Sequence, residues 1–186
     1  MNEHLKPAFQ VLLPELEKNK IDYWVFGGIS IAAYRGHFFR DNGDVDIFVI
    51  ESDFGKAKSM LGKLCEIPNF KLKFDSPKDG ERPKIDITFD DIKVFSMIPI
   101  YPKDDMMELK YPEGNQEYSN EILEKVERQL GDYRFFTPPN KFVKEMFVNH
   151  IKARSDKIQK KRKRIIKDAK VMLSQKELID LGFDVG

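Results

Sequence analysis

Asp44 and Asp46 stand two residues apart at the entry to the apolar run Ile47-Phe48-Val49-Ile50, and Asp86 interrupts the alternating segment Ile85-Asp86-Ile87-Thr88-Phe89. An extended chain sends residues i and i+2 to one side, so Asp44 and Asp46 share a face. A carboxylate in a strand is disfavoured by propensity and, once buried, by desolvation; a partner cation is the natural compensation. Mg²⁺ suits such oxygen ligands, taking one or two carboxylates and filling its shell with phosphate and water. Phe26-Gly27-Gly28-Ile29-Ser30 is the second feature. Glycine lets a backbone approach a phosphate closely, and the amides that open a helix supply donors and a favourable dipole. A triphosphate carries about four negative charges, more than a Gly-Gly turn can hold, so metal ions and a basic group such as Arg40 must stand beside it. Each piece alone has a plainer explanation. Gly27-Gly28 is also a tight turn, Asp44-Val45-Asp46 a solvated strand entry, and Asp86 shares its parity with Lys84 and Thr88 on the polar side of a hairpin.

The elements that must position these residues read as follows. Leu5 to Lys18 spaces Leu5, Phe9, Leu12, Leu13 and Leu16 as an amphipathic helix, with a bend at Pro14. Tyr23-Trp24-Val25-Phe26 is a buried strand, and Ile29 to Tyr34 a short helix that stops at Gly36. Val45 to Ile50 is the next strand, and Ser52 caps a helix from Asp53 to about Cys65. Phe70 to Phe74 and Ile85 to Phe89 alternate as strands, with Asp90-Asp91 at the tip of a hairpin into Ile92-Lys93-Val94-Phe95. The Pro-, Asp- and Met-rich stretch from Pro99 to Pro112 is expected to be a loop or insertion, and Ser119 to cap a helix to about Leu130. Beyond Pro138-Pro139 the chain reads as helices over Lys141 to Ala153 and Ile158 to Leu173, then a short one in which Ser174 and Glu177 form a capping box. The expected fold is α/β: a small mixed sheet with helices on one side, residues 1–136, followed by a helical C-terminal region, residues 137–186.

In this order, Trp24 to Ala32 with Gly36, Arg40, Asp44-Val45-Asp46-Ile47 and a later Asp86 resembles the DNA polymerase β-like nucleotidyltransferase superfamily. The likeness is greatest to the aminoglycoside 2''-adenylyltransferases and lincosamide nucleotidyltransferases, and it is strongest over residues 20 to 50. The resemblance implies that Asp44 and Asp46 bind two Mg²⁺ ions, that Asp86 is a metal ligand or general base, and that Gly27, Gly28 and Ser30 contact the phosphates of ATP or another nucleoside triphosphate. Arg40 matches a basic position of these relatives. The implied reaction is two-metal transfer of a nucleoside monophosphate to a hydroxyl of a small acceptor, with pyrophosphate leaving. Asn42-Gly43, immediately before Asp44, departs from the pattern and loosens the approach to the first carboxylate.

Length and charge bound the alternatives. At 186 residues there is room for one catalytic domain with a helical appendage. One cysteine, Cys65, excludes an internal disulfide framework and a thiolate zinc site. His4, His37 and His150 are scattered, although His37 lies close enough in sequence to touch a nucleotide, and Met97, Met106 and Met107 suit gap-filling. Neither a leader pattern nor a membrane-spanning run is present, so a cytoplasmic protein is expected. Residues 1–140 hold 19 Lys/Arg against 25 Asp/Glu, and residues 141–176 hold 13 against 3. Lys160, Lys161, Arg162, Lys163 and Arg164 concentrate this charge on one helix. It is either a solvated face or a surface for RNA, which keeps an RNA or protein acceptor, or an idle nucleotide- or RNA-binding module, as alternatives. The acidic stretch from Asp104 to Glu127 is instead a candidate wall for a cationic small acceptor.

Overall fold

The structure is a computed structural model that describes residues 2–76, 82–111, 114–153 and 155–183; for 153 and 155–163 it describes the backbone alone. The chain opens with a 3₁₀ turn, Glu3–Leu5, a π-helical stretch, Ala8–Leu12, and helix α1, Leu13–Lys18. Strand β1 (Tyr23–Phe26) runs directly into α2 (Gly27–Arg35), and β2 (Val45–Ile50) into α3 (Glu51–Leu64). Helix α3 starts two residues earlier than expected, with Ile50 rather than Ser52 at its N-cap, because the strand hands over without a loop. Strands β3 (Phe70–Asp75), β4 (Lys84–Phe89) and β5 (Ile92–Lys103) complete the path β1-β2-β5-β4-β3, in which only β2 and β5 run parallel.

Two segments differ from the sequence reading. From Pro99 to Leu109 the expected loop is strand: β5 continues to Lys103, turns at Asp104-Asp105 and returns as β6 (Met106–Leu109), which pairs with β7 (Gln116–Ser119). Proline is tolerated at position 99 because β4 pairs with β5 only as far as Met97, so one edge of β5 no longer needs a donor there. The helix expected from Ser119 to Leu130 is only the 3₁₀ turn Asn120–Leu123, followed by β8 (Val126–Leu130) and β9 (Tyr133–Thr137) in a hairpin. Ile122, Val126 and Leu130 fit a four-residue repeat and a two-residue repeat alike. Packing decides for the strand, since Tyr133 stacks on Phe9 at 4.5 Å and Phe135 lies 5.6 Å from it.

The period of two divides the sheet's residues between two cores. Val25, Ile47, Val49, Ile85, Ile87, Phe95 and Met97 face α1, α2, α3 and the β8–β9 hairpin. Trp24, Phe48, Ile98 and Ile100 face the opposite way, where β6, β7 and α4 (Asn140–Ala153) cover them through Met107, Leu109, Tyr118, Phe142 and Met146. Both faces are thus covered, and not one alone. A third cluster joins Ile31 of α2 to Val143, Phe147 and Ile151 of α4 and to Ile165, Ala169 and Met172 of α5 (Ser155–Met172). The expected capping box of Ser174 and Glu177 opens α6 (Gln175–Asp180). No described helix is long and apolar enough to cross a membrane.

Candidate active site

Strand register brings the carboxylates together. Asp46 of β2 lies beside Ser96 of β5, and Ser96 beside Asp86 of β4, so the three form a row across neighbouring strands on the face opposite α1 to α3. Asp44 precedes β2 and joins them: Ser96 Oγ donates to Asp86 Oδ1 at 2.5 Å and lies 3.2 Å from Asp44 Oδ2. Lys84 Nζ lies 3.0 Å from Asp86 Oδ1, and Lys93 Nζ bridges Asp44 Oδ2 at 2.7 Å and Asp86 Oδ1 at 3.1 Å.

Lys93 reaches this face because the strand is irregular. Ile87 pairs with Phe95 but Thr88 pairs with Lys93, so β5 carries one residue more than β4 at this point. Val94 and Phe95 both turn into the core as a result, and the parity of Lys93 is reversed. Strict alternation from Phe95 and Met97 would have sent Lys93 to the other side of the sheet.

Asp46, Asp86 and Lys93 sit in different electrostatic company. Burial and the neighbouring Asp44 push Asp46 up to about 7. Burial also acts on Asp86, but the Ser96 hydroxyl and the Lys84 and Lys93 ammoniums outweigh it and hold the group below the usual carboxylate range. Burial alone would ease the proton off Lys93; Asp44 and Asp86 overcome it and raise its affinity for the proton.

Beside the row, β1 meets α2 at Gly27-Gly28. Gly27 has φ +67°, and a Cβ there would lie 3.0 Å from Asp46 Oδ2, so a side chain at this position would crowd the carboxylate. A Cβ on Gly28 would fall 2.4 Å from both Arg40 Nη2 and Asn42 Oδ1. Arg40 is 6% exposed and its guanidinium grips Asp168 of α5 with two bonds, Nε–Oδ1 at 2.5 Å and Nη2–Oδ2 at 2.7 Å, while Nη1 donates to Asn42 Oδ1. Ser30 Oγ donates to the Gly27 carbonyl at 2.8 Å. Gly27, Gly28, Ser30, Arg40, Asp46 and Asp168 line one cavity of about 350 Å³. Its opposite wall is Val143, Met146, Phe147 and Ile165 from α4 and α5, and Tyr111, Arg82, His150 and Arg164 also reach it.

Among the expected site residues, Gly27, Gly28, Ser30, Arg40, Asp44 and Asp46 therefore line one cavity, and Asp86 is tied to its wall through Ser96, Lys84 and Lys93. The described acidic residues between Asp104 and Glu127 do not line it. Within the basic run, the side chains of Lys160, Lys161, Arg162 and Lys163 lie outside the described residues. Ser96, Lys93 and Asp168 were missed. A lone hydroxyl in the apolar run Val94-Phe95-Ser96-Met97 was the available signal for the first.

Divalent ions fit this donor set. It is all oxygen, and Asp46, close to Gly27, makes no hydrogen bond or ion pair among the described residues; Lys93, Lys84 and Arg164 act on it only from a distance, and burial and Asp44 outweigh them. Among the described residues, no three His, Cys, Asp or Glu side chains are gathered as closely as the ligands of one ion; the Lys93 ammonium stands between two of the carboxylates.

The strand order, the Gly-Gly junction and the aspartate row invite comparison with solved structures. The antibiotic-resistance factor ANT(2'')-Ia superposes with a TM-score of 0.62 at 12% identity, over 98% of this chain and 86% of that one. This chain has the nucleotidyltransferase fold. ANT(2'')-Ia in complex with adenylyl-2''-tobramycin gives 0.58 at 12% identity, over 94% and 92% of the two chains. The lincomycin-bound lincosamide antibiotic adenylyltransferase LnuA gives 0.53 at 20% identity, over 74% and 82%. No family model and no curated protein sequence matches the chain. The likeness of this nucleotidyltransferase fold to its neighbours is one of backbone, and the chemistry has to be argued from the cavity.

Proposed function

We propose that the chain is a metal-dependent nucleotidyltransferase that moves a nucleoside monophosphate from a nucleoside triphosphate to a hydroxyl of a small acceptor, releasing pyrophosphate. The observation that carries this reading is the row Asp46–Ser96–Asp86: Asp46, Ser96 and the neighbouring Asp44 line a cavity that opens onto the N-terminus of α2, and Asp86 is bonded to that wall through Ser96. Two Mg²⁺ ions held by Asp44, Asp46 and Asp86 would neutralise the triphosphate and the charge that develops on the attacking and leaving oxygens. The Gly27 and Gly28 amides open α2 without a side-chain cap, leaving donors for phosphate oxygens. Asp86, kept ionised by Ser96 and two lysines, orients the attacking hydroxyl. Lys84, Lys93 and Arg164 add positive charge where a triphosphate brings negative charge.

The lining also bears on the acceptor. With Asp44, Asp46 and Asp86 assigned to metal and Asp168 tied to Arg40, the described lining keeps cations and the apolar wall of α4 and α5. A hydroxylated acceptor with an apolar face and little positive charge suits that wall better than a polycation. ANT(2'')-Ia with adenylyl-2''-tobramycin and lincomycin-bound LnuA support a small acceptor in general terms.

The test is incubation of the purified chain with each α-labelled nucleoside triphosphate, Mg²⁺ and separated metabolite, RNA and protein fractions. Label is expected in the metabolite fraction together with free pyrophosphate. Label in RNA or protein would replace the acceptor class, and no transfer to any fraction would overturn the reading.

A further inference from the structure

We infer that Lys93 is a built-in counter-ion: its ammonium holds Asp44 and Asp86 together in the nucleotide-free protein and must be displaced before a divalent ion can bind between them. The inference rests on the reading of those two carboxylates as metal ligands and adds a role that the reading does not contain.

Three observations carry it. Lys93 Nζ lies 2.7 Å from Asp44 Oδ2 and 3.1 Å from Asp86 Oδ1, so one cation already spans the two groups. Asp86 Oδ1 also accepts from the Ser96 hydroxyl, which lies 3.2 Å from Asp44 Oδ2, and meets Lys84, which leaves this pair of oxygens crowded. The extra residue in β5 turns Lys93 to this face, against the alternation that would have buried it among Phe95 and Met97. A lysine needed only to neutralise surface charge does not require such a distortion.

Charge repulsion then sets the order of events. An ammonium and a divalent ion cannot share the same pair of oxygens, because two cations at contact distance repel strongly in a site partly shielded from water. Metal arriving alone must therefore expel Lys93 towards other cations of the cavity, namely Lys84, Arg82 and Arg164. Metal arriving with a triphosphate gives the freed ammonium a new anionic partner within reach of its flexible stem. The consequence is positive coupling: metal binds weakly to the bare protein and much more tightly with nucleotide, and the reverse holds by linkage.

The measurement is Mn²⁺ binding to the nucleotide-free full chain, followed by electron paramagnetic resonance of the free ion, for the wild type, Lys93→Met, Lys93→Arg and Asp46→Asn. Lys93→Met is expected to bind Mn²⁺ about tenfold more tightly than wild type, the affinity equivalent of one competing ion pair. Lys93→Arg, which keeps the charge, should stay near wild type. A non-hydrolysable triphosphate analogue should tighten Mn²⁺ binding far more in wild type than in Lys93→Met. Equal or weaker Mn²⁺ binding by Lys93→Met overturns the inference and leaves Lys93 as a strand tie. If Lys93→Met does not fold without metal, Mn²⁺ but not matched Na⁺ should restore its circular dichroism; failure to do so counts equally against the idea. Mn²⁺ binding that ignores Asp46→Asn would sink the metal-site reading itself and take this inference with it. Loss in Asp46→Asn with no change in Lys93→Met sinks the role of Lys93 alone.

Discussion

Asp44 and Asp46 are two residues apart and keep different company, so the same substitution should act oppositely at the two positions. Asp44 pairs with Lys93 and lies near Ser96, whereas Asp46 has burial and Asp44 against it. Asp46→Asn should therefore stabilise the metal-free protein by roughly 1–2 kcal/mol, since it removes a charge that the fold disfavours. Asp44→Asn should not, because Lys93 loses a partner; equal melting temperatures for the two variants would contradict this. Both should abolish transfer, as an amide cannot supply the carboxylate's charge to a metal. The pH dependence follows with a definite sign. With its folded value near 7 and its ordinary value at 3.8, Asp46 keeps a proton through a window in which the unfolded chain gives it up. Its contribution to stability is thus complete below about 4 and lost as pH rises towards 7, and Asp46→Asn should flatten that slope in metal-free melts. Asp86→Asn should weaken turnover more than nucleotide binding, because Ser96, Lys84 and Lys93 aim this group from the side of the sheet away from Gly27. Equal loss of both, by calorimetry and rate, would reassign it to metal holding alone.

At the scale of elements, Gly28 is fixed by what packs on it. Gly28→Ala pushes a methyl into the guanidinium of Arg40 and the amide of Asn42, at 2.4 Å from each, and should lower stability by about 1–3 kcal/mol, as overpacking does. Gly43→Ala meets nothing within 4 Å and serves as the control expected to melt like wild type. The β1–α2–β2 unit was legible in the sequence because an apolar aromatic run, two glycines and a second apolar run each admit one element. The C-terminal helices were legible from their period and their capping box. The continuation of β5 beyond Phe95 and strands β6 to β9 were not, since Pro99 looks like a breaker unless the missing neighbour is known, and Val126 and Leu130 satisfy two periods. Lys93 was hidden for a sharper reason: one extra residue in β5 reverses its side, and no local pattern in Ile92-Lys93-Val94-Phe95 reports the partner strand's count. Arg40 was noticed as a basic group, but Asp168 lies 128 residues away and only packing reveals that the two are joined.

At the scale of the molecule, that pair fastens the helical region to the sheet. Asp168→Ala leaves the Arg40 guanidinium buried without its bidentate partner, which should cost about 3–5 kcal/mol and lower the melting temperature far more than loss of an exposed pair such as Lys71–Asp91. Hydrogen exchange should then quicken in α4 and α5 before it does in β2 and β5. An unchanged melting point would mean that apolar packing, through the Ile31 cluster and through Phe142 and Met146 on the sheet, is enough to fasten the region. The proposed division at residues 136 and 137 follows the change to helices, yet the fastening crosses it, as does the wall that α4 and α5 give the cavity. Synthesis is vectorial, and Arg40 leaves the ribosome long before Asp168 does. A nascent chain that has already paired β1 with β2 must hold a guanidinium destined for burial while its counter-charge is still untranslated. Nascent chains arrested before Asp168 should therefore be open to proteolysis around Arg40, and protection should arrive abruptly once α5 has cleared the exit tunnel.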